Sequence, residues 1–114
     1  MSSEQRDIAD GTLVVRTAKQ GDTHVISLCG ELDLANAATA EAELKTSLES
    51  DGSSVVVDMR ELEFIDSTGI ALLVAALGHN DGEIRVKFVP SSAPAVTRVL
   101  ELTGLSERLP LADA

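Results

Sequence analysis

The sequence predicts a single α/β domain, with a mixed sheet of four to five strands and helices packed mainly on one side. Its 114 residues are enough for one domain that buries a core without a metal ion or a disulfide. Apolar residues make up 44% of the chain and aromatic residues only 2%, so the core must consist of Val, Leu, Ile and Ala. Two strand-like runs, 55–57 and 84–89, flank a helical segment, and such a unit is expected to form a right-handed parallel crossover.

The first part of the chain predicts a tail followed by a β-hairpin. Residues 1–10 are polar and lack periodicity, so we expect a disordered N-terminal tail. The domain is expected to span 11–110, and 111–114 is expected to be a C-terminal tail. Strands are predicted over 12–16 and 23–29, and a Gly-Asp turn joins them into a hairpin.

A helix is predicted over residues 36–49, after the turn of sequence Gly30-Glu-Leu-Asp-Leu34. Asp33 and Asn36 are both suitable caps, because their side chains accept hydrogen bonds from the free N–H groups of a first turn. The stripe expected to face the core consists of Ala37, Ala40, Leu44 and Leu48. The opposite face is charged, and a charged helix face is usually just solvated.

Residues 54–78 are the segment on which the functional prediction depends. The β-branched run at 55–57 predicts a strand buried on both faces, and the acidic residues 58–63 are expected to form a loop. Asp66 is predicted to cap a helix that begins at Ser67. Helical spacing predicts a core stripe of Ile70, Leu73, Val74 and Leu77. Ser67 is therefore expected at a helix N-terminus, just beyond the end of a strand.

The C-terminal third predicts a strand, a helix and a short edge strand. The strand is expected over 84–89. The following helix is expected to be capped by Ser91 or Ser92, with a proline in its first turn. Gly104 is predicted to end this helix in the left-handed conformation. Residues 106–114 are candidates for the edge strand.

The charge of the chain limits its partners. Nine basic and nineteen acidic residues give 9 − 19 = −10, with a pI of about 4.4. Such a surface repels phosphates, so we expect no direct nucleic acid partner. No signal peptide is recognisable, the longest apolar run is too short to cross a bilayer, and Cys29 has no second cysteine to pair with. These features favour a cytoplasmic protein without a membrane partner.

The sequence does not predict an enzyme. A catalytic serine needs a base in reach, and His79 lies twelve residues along the same predicted helix from Ser67, about 18 Å away. His24 is not excluded by spacing, although a partly exposed residue at a strand end is the simpler interpretation. No phosphate-binding glycine loop or zinc-ligand spacing is present, so we expect no cofactor and no metal. A magnesium site is the minor alternative for four acidic residues: Asp58, Glu61, Glu63 and Asp66.

Ser67 is the candidate functional residue. A helix N-terminus tolerates an anion, so a phosphate on Ser67 would not unfold the helix. Ser67 and Thr68 also fit as ordinary first-turn residues, and spacing alone does not decide. The segment Phe64-Ile-Asp-Ser-Thr-Gly-Ile70 resembles the signature of the STAS domain of bacterial anti-sigma factor antagonists. Gly30-Glu-Leu-Asp-Leu34 is similar to the second hallmark of that family, and the resemblance covers roughly residues 10–110.

The resemblance implies a partner-switching function in transcription regulation and the stress response. The unphosphorylated protein would bind an anti-sigma factor, which is also a serine kinase, and so release a sigma factor. Phosphorylation of Ser67 by this kinase would end the binding, and a phosphatase would reverse it. The partner-binding residues implied by the motifs and by the surface beside Ser67 are Asp33, Asp66, Thr68, Gly69 and Leu72. Thr68 stands where the family usually has a second serine.

Two alternatives stay open at this point. The chain is also compatible with a STAS module that does not switch, either binding a small ligand or serving as a subunit of a transporter or stress-signalling complex. A small hydrolase is a more distant interpretation. Ser67 favours the switch, because a non-switching module has no need of a phosphorylatable residue there. The apolar patch around Leu72 predicts a docking surface, unless neighbouring elements bury this helix on two sides.

Overall fold

The computed structural model describes residues 5–49, 54–80, 82–83 and 85–112, and it shows an α/β fold. The strands are β1 Gln5–Asp10, β2 Leu13–Gln20, β3 Thr23–Leu32, β4 Ser54–Asp58, β5 Leu62–Ile65 and β6 Val86–Val89. The helices of the described part are α1 Ala37–Leu48, α2 Ser67–Leu77, α3 Pro94–Leu102 and a short 3₁₀-helix, Leu105–Glu107. None of the described helices has the length and apolar character needed to cross a membrane. The predicted α/β class with a mixed sheet is confirmed.

The sheet is assembled around β3. This strand pairs antiparallel with β2, which pairs antiparallel with β1. On its other side, the first half of β3 pairs parallel with β4 and its last residues pair parallel with β5. β6 extends the sheet by pairing parallel with β4, so the predicted parallel pairing across the strand–helix–strand unit is confirmed.

The change of partner along β3 depends on a glycine. The register shifts between Gly30 and Glu31, and Gly30 has a φ of 101°. A Cβ at this position would lie 2.0 Å from the carbonyl oxygen of Thr12, a distance that no side chain tolerates. Only glycine fits here, which explains why the motif that leaves β3 begins with this residue.

The prediction of a disordered N-terminal tail is wrong for residues 5–10, which form the edge strand β1. The strand is held mainly by its backbone pairing with β2, and only Ile8 and Asp10 are partly buried. Because its other side chains are exposed, its sequence carries no alternation that would indicate a strand. Residues 1–4, also assigned to the tail, lie outside the described residues.

The prediction of a loop over residues 58–63 is wrong at both ends, because Asp58 is the last residue of β4 and β5 begins at Leu62. Leu62 and Ile65 are buried, while Glu63 and Phe64 between them are exposed. In a strand, buried and exposed side chains normally alternate, and two exposed residues in succession break this alternation. A strand of only four residues then cannot be recognised from its sequence. β1 and β5 together account for a sheet of six strands instead of four to five.

The core lies on one face of the sheet, where α1 and α2 cover alternate strand residues. The buried strand residues on this face include Leu13, Val15, Ile26, Leu28, Val55, Val57, Val86 and Phe88. The predicted stripe of α1 is confirmed, since all four of its residues are buried. Val56 is only half-buried, so the expected burial of β4 on both faces is wrong.

The phase of α2 differs from the prediction. Its buried residues are Gly69, Leu72, Leu73 and Ala76. Of the four residues in the predicted stripe, only Leu73 is fully buried. Val74, which the spacing places in the core, is 43% exposed. Residues 70–77 are all apolar, so no polar face marks the solvent side and several stripes fit the same spacing.

The entry into α3 is fixed by Ser91, but not as a helix cap. The N-cap position is Ala93, which has no side-chain cap, so the expected cap at Ser91 or Ser92 is wrong. The Ser91 hydroxyl donates to the carbonyl of Leu62 at 2.7 Å and accepts from the N–H of Ala93 at 2.9 Å. It therefore ties this turn to the start of β5.

The C-terminal segment adds to the sheet beside β6. Gly104 has a φ of 76°, which confirms the predicted left-handed residue. The N–H of Phe88 donates to the carbonyl of Pro110 at 2.8 Å, and the N–H of Ala112 donates back to Phe88 at 2.9 Å. The predicted edge strand over 106–114 is therefore reduced to one isolated parallel bridge between Leu111 and Phe88, because the 3₁₀-helix Leu105–Glu107 takes up the start of this segment. Residues 113 and 114 lie outside the described residues.

Candidate functional site

Asp66 fixes the start of α2, as the sequence predicts. Its backbone is extended, and its Oδ1 accepts a hydrogen bond from the N–H of Gly69 at 3.0 Å. Its carbonyl accepts from the N–H of Ile70 at 2.9 Å. The carboxylate therefore satisfies a free donor of the first turn and lies at the positive end of the helix.

The same carboxylate joins the two sequence motifs. Oδ2 of Asp66 accepts a hydrogen bond from the N–H of Leu34 at 3.1 Å. The N–H of Asp66 donates to the carbonyl of Leu32 at 3.2 Å, next to the pairing of Leu32 with Ile65. The turn at the end of β3 and the start of α2 consequently form one site, although more than thirty residues separate them in the sequence.

Asp33 lies in this turn, which Asn36 braces. The Asn36 side chain accepts from the N–H of Asp33 and donates to the carbonyl of Glu31, both at 2.9 Å. The Asp33 carboxylate accepts from the N–H of Ala35 at 3.0 Å. Asn36 is the N-cap residue of α1 but makes no side-chain bond to its first turn, so the cap expected from Asp33 or Asn36 is absent. Both side chains hold the turn instead.

Gly69 allows α2 to lie close to the sheet. A Cβ at this position would be 2.5 Å from Cγ1 of Ile65 and 3.0 Å from the side chain of Leu32. Since Ile65 and Leu32 are the paired ends of β5 and β3, the glycine lets the first turn of the helix rest directly on them. The role of Gly69 is steric, and Gly69 itself is buried.

Ser67 is the exposed first residue of α2, and Thr68 beside it is half-buried. Among the described residues, none hydrogen-bonds to the hydroxyl of Ser67 or to the N–H groups of Ser67 and Thr68. The hydroxyl is thus open to a reacting group from solvent. An anion attached to it would meet two free N–H donors and the positive end of the helix dipole.

A shallow groove of about 300 Å³ runs beside Ser67, between the first turns of α1 and α2. The residues that line the groove are Leu34, Ala37, Ala38, Glu41, Thr68, Ala71 and Leu72. Leu34 is 77% exposed at its rim, an unusual position for a large apolar side chain. Leu34 cannot be identified from the sequence, because an apolar residue just before an amphipathic helix normally belongs to the core.

Leu72 forms part of the floor of this groove, and it is only 7% exposed. The prediction that it lies off the core stripe is wrong, because the actual stripe of α2 includes it. The site thus brings together Asp33, Asp66, Thr68, Gly69 and Leu72 around Ser67, with Gly69 and Leu72 below the surface.

Of the four acidic residues considered as a metal site, Asp58 and Asp66 are each bound by separate partners. Arg60 binds the carboxylate of Asp58 through Nε and through Nη2, the latter at 2.7 Å. Burial alone would raise the pKa of the Asp58 carboxyl, but the hydrogen bonds and charge of Arg60 outweigh it and hold this pKa below its usual 3.8. Asp66 is bound by backbone N–H groups, as described. Within the described part of the chain, no group of three His, Cys, Asp or Glu side chains could hold a metal ion.

Fold and site together define a class of protein: a small α/β domain that presents a serine at a helix N-terminus, beside an aspartate-containing turn. Residues 15–112 match the family described as "Mlab, STAS domain". The chain belongs to this STAS-domain family, which confirms the resemblance inferred from its two motifs.

Its relatives include anti-sigma factor antagonists. The chain is 31% identical over 100 residues to the anti-sigma-F factor antagonist RsfB of Mycobacterium tuberculosis, covering 87% of this chain and 80% of that protein. It is 29% identical over 99 residues to an anti-sigma-B factor antagonist of Staphylococcus aureus, covering 83% and 88%. The crystal structure of an anti-sigma factor antagonist from Mycobacterium paratuberculosis is similar, with a TM-score of 0.80, 25% identity, and coverage of 93% and 90%.

Proposed function

We propose that this protein is an anti-sigma factor antagonist whose binding is switched off by phosphorylation of Ser67. The observation that carries the proposal is the exposed Ser67 hydroxyl at the first position of α2, directly after the capping Asp66. The names of the relatives support the same class of function. The protein acts in the cytoplasm as a binding partner and as the substrate of a kinase, not as an enzyme.

The binding surface of this proposal is the groove together with the turn around Asp33. Leu34 and Leu72 offer apolar contact, while Asp33 and Glu41 add negative charge beside it. The matching surface on the partner combines an apolar side chain with basic residues, and the net charge of −10 steers such a partner. Asp66 acts by positioning, because its carboxylate holds both motifs together.

Phosphorylation of Ser67 would oppose this binding through local electrostatics. A phosphate adds about two negative charges at pH 7. In a complex it would have to lose its water against a surface that accommodates a hydroxyl, and a buried unpaired charge costs several kcal/mol. The anti-sigma factor is itself the serine kinase that transfers the phosphate from ATP, and a separate phosphatase restores the binding form.

The test compares three variants with the wild type for affinity to the anti-sigma factor kinase of the source cell. Ser67→Ala is expected to bind like the unphosphorylated protein and to accept no phosphate. Ser67→Asp is expected to bind more weakly, since one carboxylate is a partial substitute for a phosphate. Thr68→Ala is the control for the position of the phosphate, because it removes the neighbouring hydroxyl and should still be phosphorylated on Ser67. Since Thr68 lines the groove, the affinity of this variant is compared only between its own phosphorylated and unphosphorylated forms.

The site of modification is read by fragmenting the phosphopeptide after incubation with kinase and ATP. Phosphate mainly on Thr68 would refute the assignment to Ser67 but leave the switch standing. Equal affinity of wild type, Ser67→Asp and the phosphorylated protein would contradict the switch itself. In that case the chain would be a STAS module that binds its ligand or complex without switching.

A further inference from the structure

A shallow cavity of about 530 Å³, widely open to solvent, lies at the end of the sheet opposite Ser67. It opens between the C-terminal half of α1 and the hairpin that joins β2 to β3. His24, at the start of β3, lines the cavity, whereas Leu32, at the end of β3, adjoins Asp66. The strand residues between them span about 26 Å at the usual rise per residue. The cavity is therefore separate from the site around Ser67.

Two cationic side chains and one carboxylate line this cavity among uncharged residues, in a chain whose net charge is −10. Arg6, Lys19 and His24 line it, and Glu43 is the carboxylate among its described lining residues. Arg6 forms an ion pair with Glu43, so these two charges compensate each other. No carboxylate of the described residues lies within ion-pair distance of Lys19. One positive charge is thus left for a ligand.

His24 contributes a hydrogen-bonding group without a partner. Its Nε2 is buried, and no described residue hydrogen-bonds to it. Burial, and secondly the charge of Lys19 on the neighbouring strand, lower the pKa of the imidazole below its usual 6.5. Buried polar atoms are rarely left unsatisfied in folded proteins, so this nitrogen indicates a missing partner.

We propose that this cavity binds a small organic anion through a phosphate or carboxylate group. Lys19 supplies the charge, His24 supplies a ring nitrogen, and the hydroxyls of Thr17 and Ser47 line the same space. The volume falls within the range of about 300–1,000 Å³ that is usual for small-molecule sites. A large polyanion is disfavoured, because outside the cavity it would meet the acidic surface of the chain.

The test is a titration of the ¹⁵N-labelled protein, followed in amide spectra, with three probes that share one carbon skeleton. Glycerol 3-phosphate, glycerate and glycerol differ in the group they carry: a phosphate, a carboxylate or no charge. Saturable shifts are expected at Thr17, Lys19, His24 and Ser47 with at least one of the anions, and the stronger anion identifies the group preferred. Glycerol is expected to give no saturable shift.

Lys19→Met removes the uncompensated charge and is expected to weaken anion binding by about tenfold. Lys45→Met is the matched control: Lys45 is an exposed residue of α1 that does not line the cavity, so this variant should bind like the wild type. Thr17→Val tests the hydrogen bonding without a change of charge and is also expected to weaken binding.

Several outcomes would overturn the proposal. These are shifts that stay linear to high probe concentration, equal shifts with glycerol, and equal weakening by Lys19→Met and Lys45→Met. Shifts centred on the first turn of α2 would place anion binding at the other end of the molecule and would also contradict it. None of these results bears on the switch at Ser67, since the titration uses neither the kinase nor its partner.

Discussion

Helix propensity and core packing predict opposite effects on stability when Gly69 is replaced by alanine. Alanine is a better helix former than glycine by about 1 kcal/mol, so propensity alone predicts that Gly69→Ala stabilises α2. The new Cβ would lie 2.5 Å from Ile65 and 3.0 Å from Leu32, both in the core. Overpacking of this kind costs about 1–3 kcal/mol. We expect Gly69→Ala to lower the free energy of unfolding, measured by urea titration.

Gly78→Ala is the control for this prediction. Gly78 ends α2 with a φ of −61°, which alanine adopts without strain, and the nearest atom to a new Cβ is the carbonyl oxygen of Ala75 at 3.2 Å. Its effect on stability should stay within about 0.5 kcal/mol. If Gly69→Ala proves more stable than the wild type, the close packing of α2 on β3 and β5 is wrong.

Asp58 gives a prediction for the pH dependence of stability. Its carboxyl has a pKa below the usual 3.8 in the folded protein, through Arg60 and against the effect of burial. A lowered pKa contributes stability that is present above the unfolded value and is lost as the pH falls through the folded value. Asp58→Asn should therefore lower the free energy of unfolding at pH 7, on the order of 1 kcal/mol.

The difference between wild type and Asp58→Asn should shrink as the pH falls below about 4, and urea titrations on both sides of that pH would measure it. Glu61→Gln is the control, because Glu61 lies in the turn that directly follows β4 and its side chain is exposed. A constant difference at all pH values would mean that Asp58 acts through its shape and not through its charge.

At the level of elements, the sequence predicts the helices and strands whose own residues show a clear apolar and polar pattern. α1 has an apolar stripe and a charged face, so both its position and its orientation are predicted. β1 and β5 are missed, because backbone pairing with β2 and β3 creates them while their side chains alternate poorly. Long-range pairing of this kind leaves no trace in a local pattern.

α2 lies between these cases, since its start is predicted and its orientation is not. A capping aspartate is a local signal, but residues 70–77 are apolar on every side. What selects the buried stripe is Gly69, the residue that lets one side of the helix approach the sheet. That selection depends on contacts with β3 and β5, which the sequence pattern does not contain.

The orientation of α2 predicts unequal effects for two neighbouring residues. Leu72 is 7% exposed and packs in the core, whereas Val74 is 43% exposed. Leu72→Ala should lower the free energy of unfolding by about 2–5 kcal/mol, the usual cost of such a truncation in a core. Val74→Ala should cost less than about 1 kcal/mol. Urea titration of both variants tests the orientation of α2. A larger loss of stability for Val74→Ala than for Leu72→Ala would mean that Val74, and not Leu72, faces the core.

At the scale of the whole molecule, the site is where two predicted motifs meet. Each motif is recognisable alone, but the hydrogen bond from Leu34 to Asp66 exists only because β5 pairs with the end of β3. Ser67, Asp33 and Asp66 could therefore be named from the sequence. Leu34 and the groove could not, because they depend on the relative position of α1 and α2.

The last prediction is that phosphorylation of Ser67 changes binding without changing the fold. Two free N–H groups and the helix dipole favour an anion at this position, by about 0.3–1 kcal/mol at an exposed site. Repulsion from Asp66 and from the net charge of −10 opposes this, and salt screens part of it. Because the two effects are similar in size, the free energy of unfolding should change by no more than about 1 kcal/mol.

Binding of the anti-sigma factor should instead fall by orders of magnitude, since a phosphate in the interface loses its water without gaining a balancing partner. Thermal melts and partner titrations of both forms, each at low and high salt, measure the two quantities side by side. Raised salt should reduce the change in melting temperature, which arises from exposed charges, more than the loss of affinity. A loss of fold stability as large as the loss of binding would mean that phosphorylation acts by unfolding the domain, and the local electrostatic mechanism would be wrong.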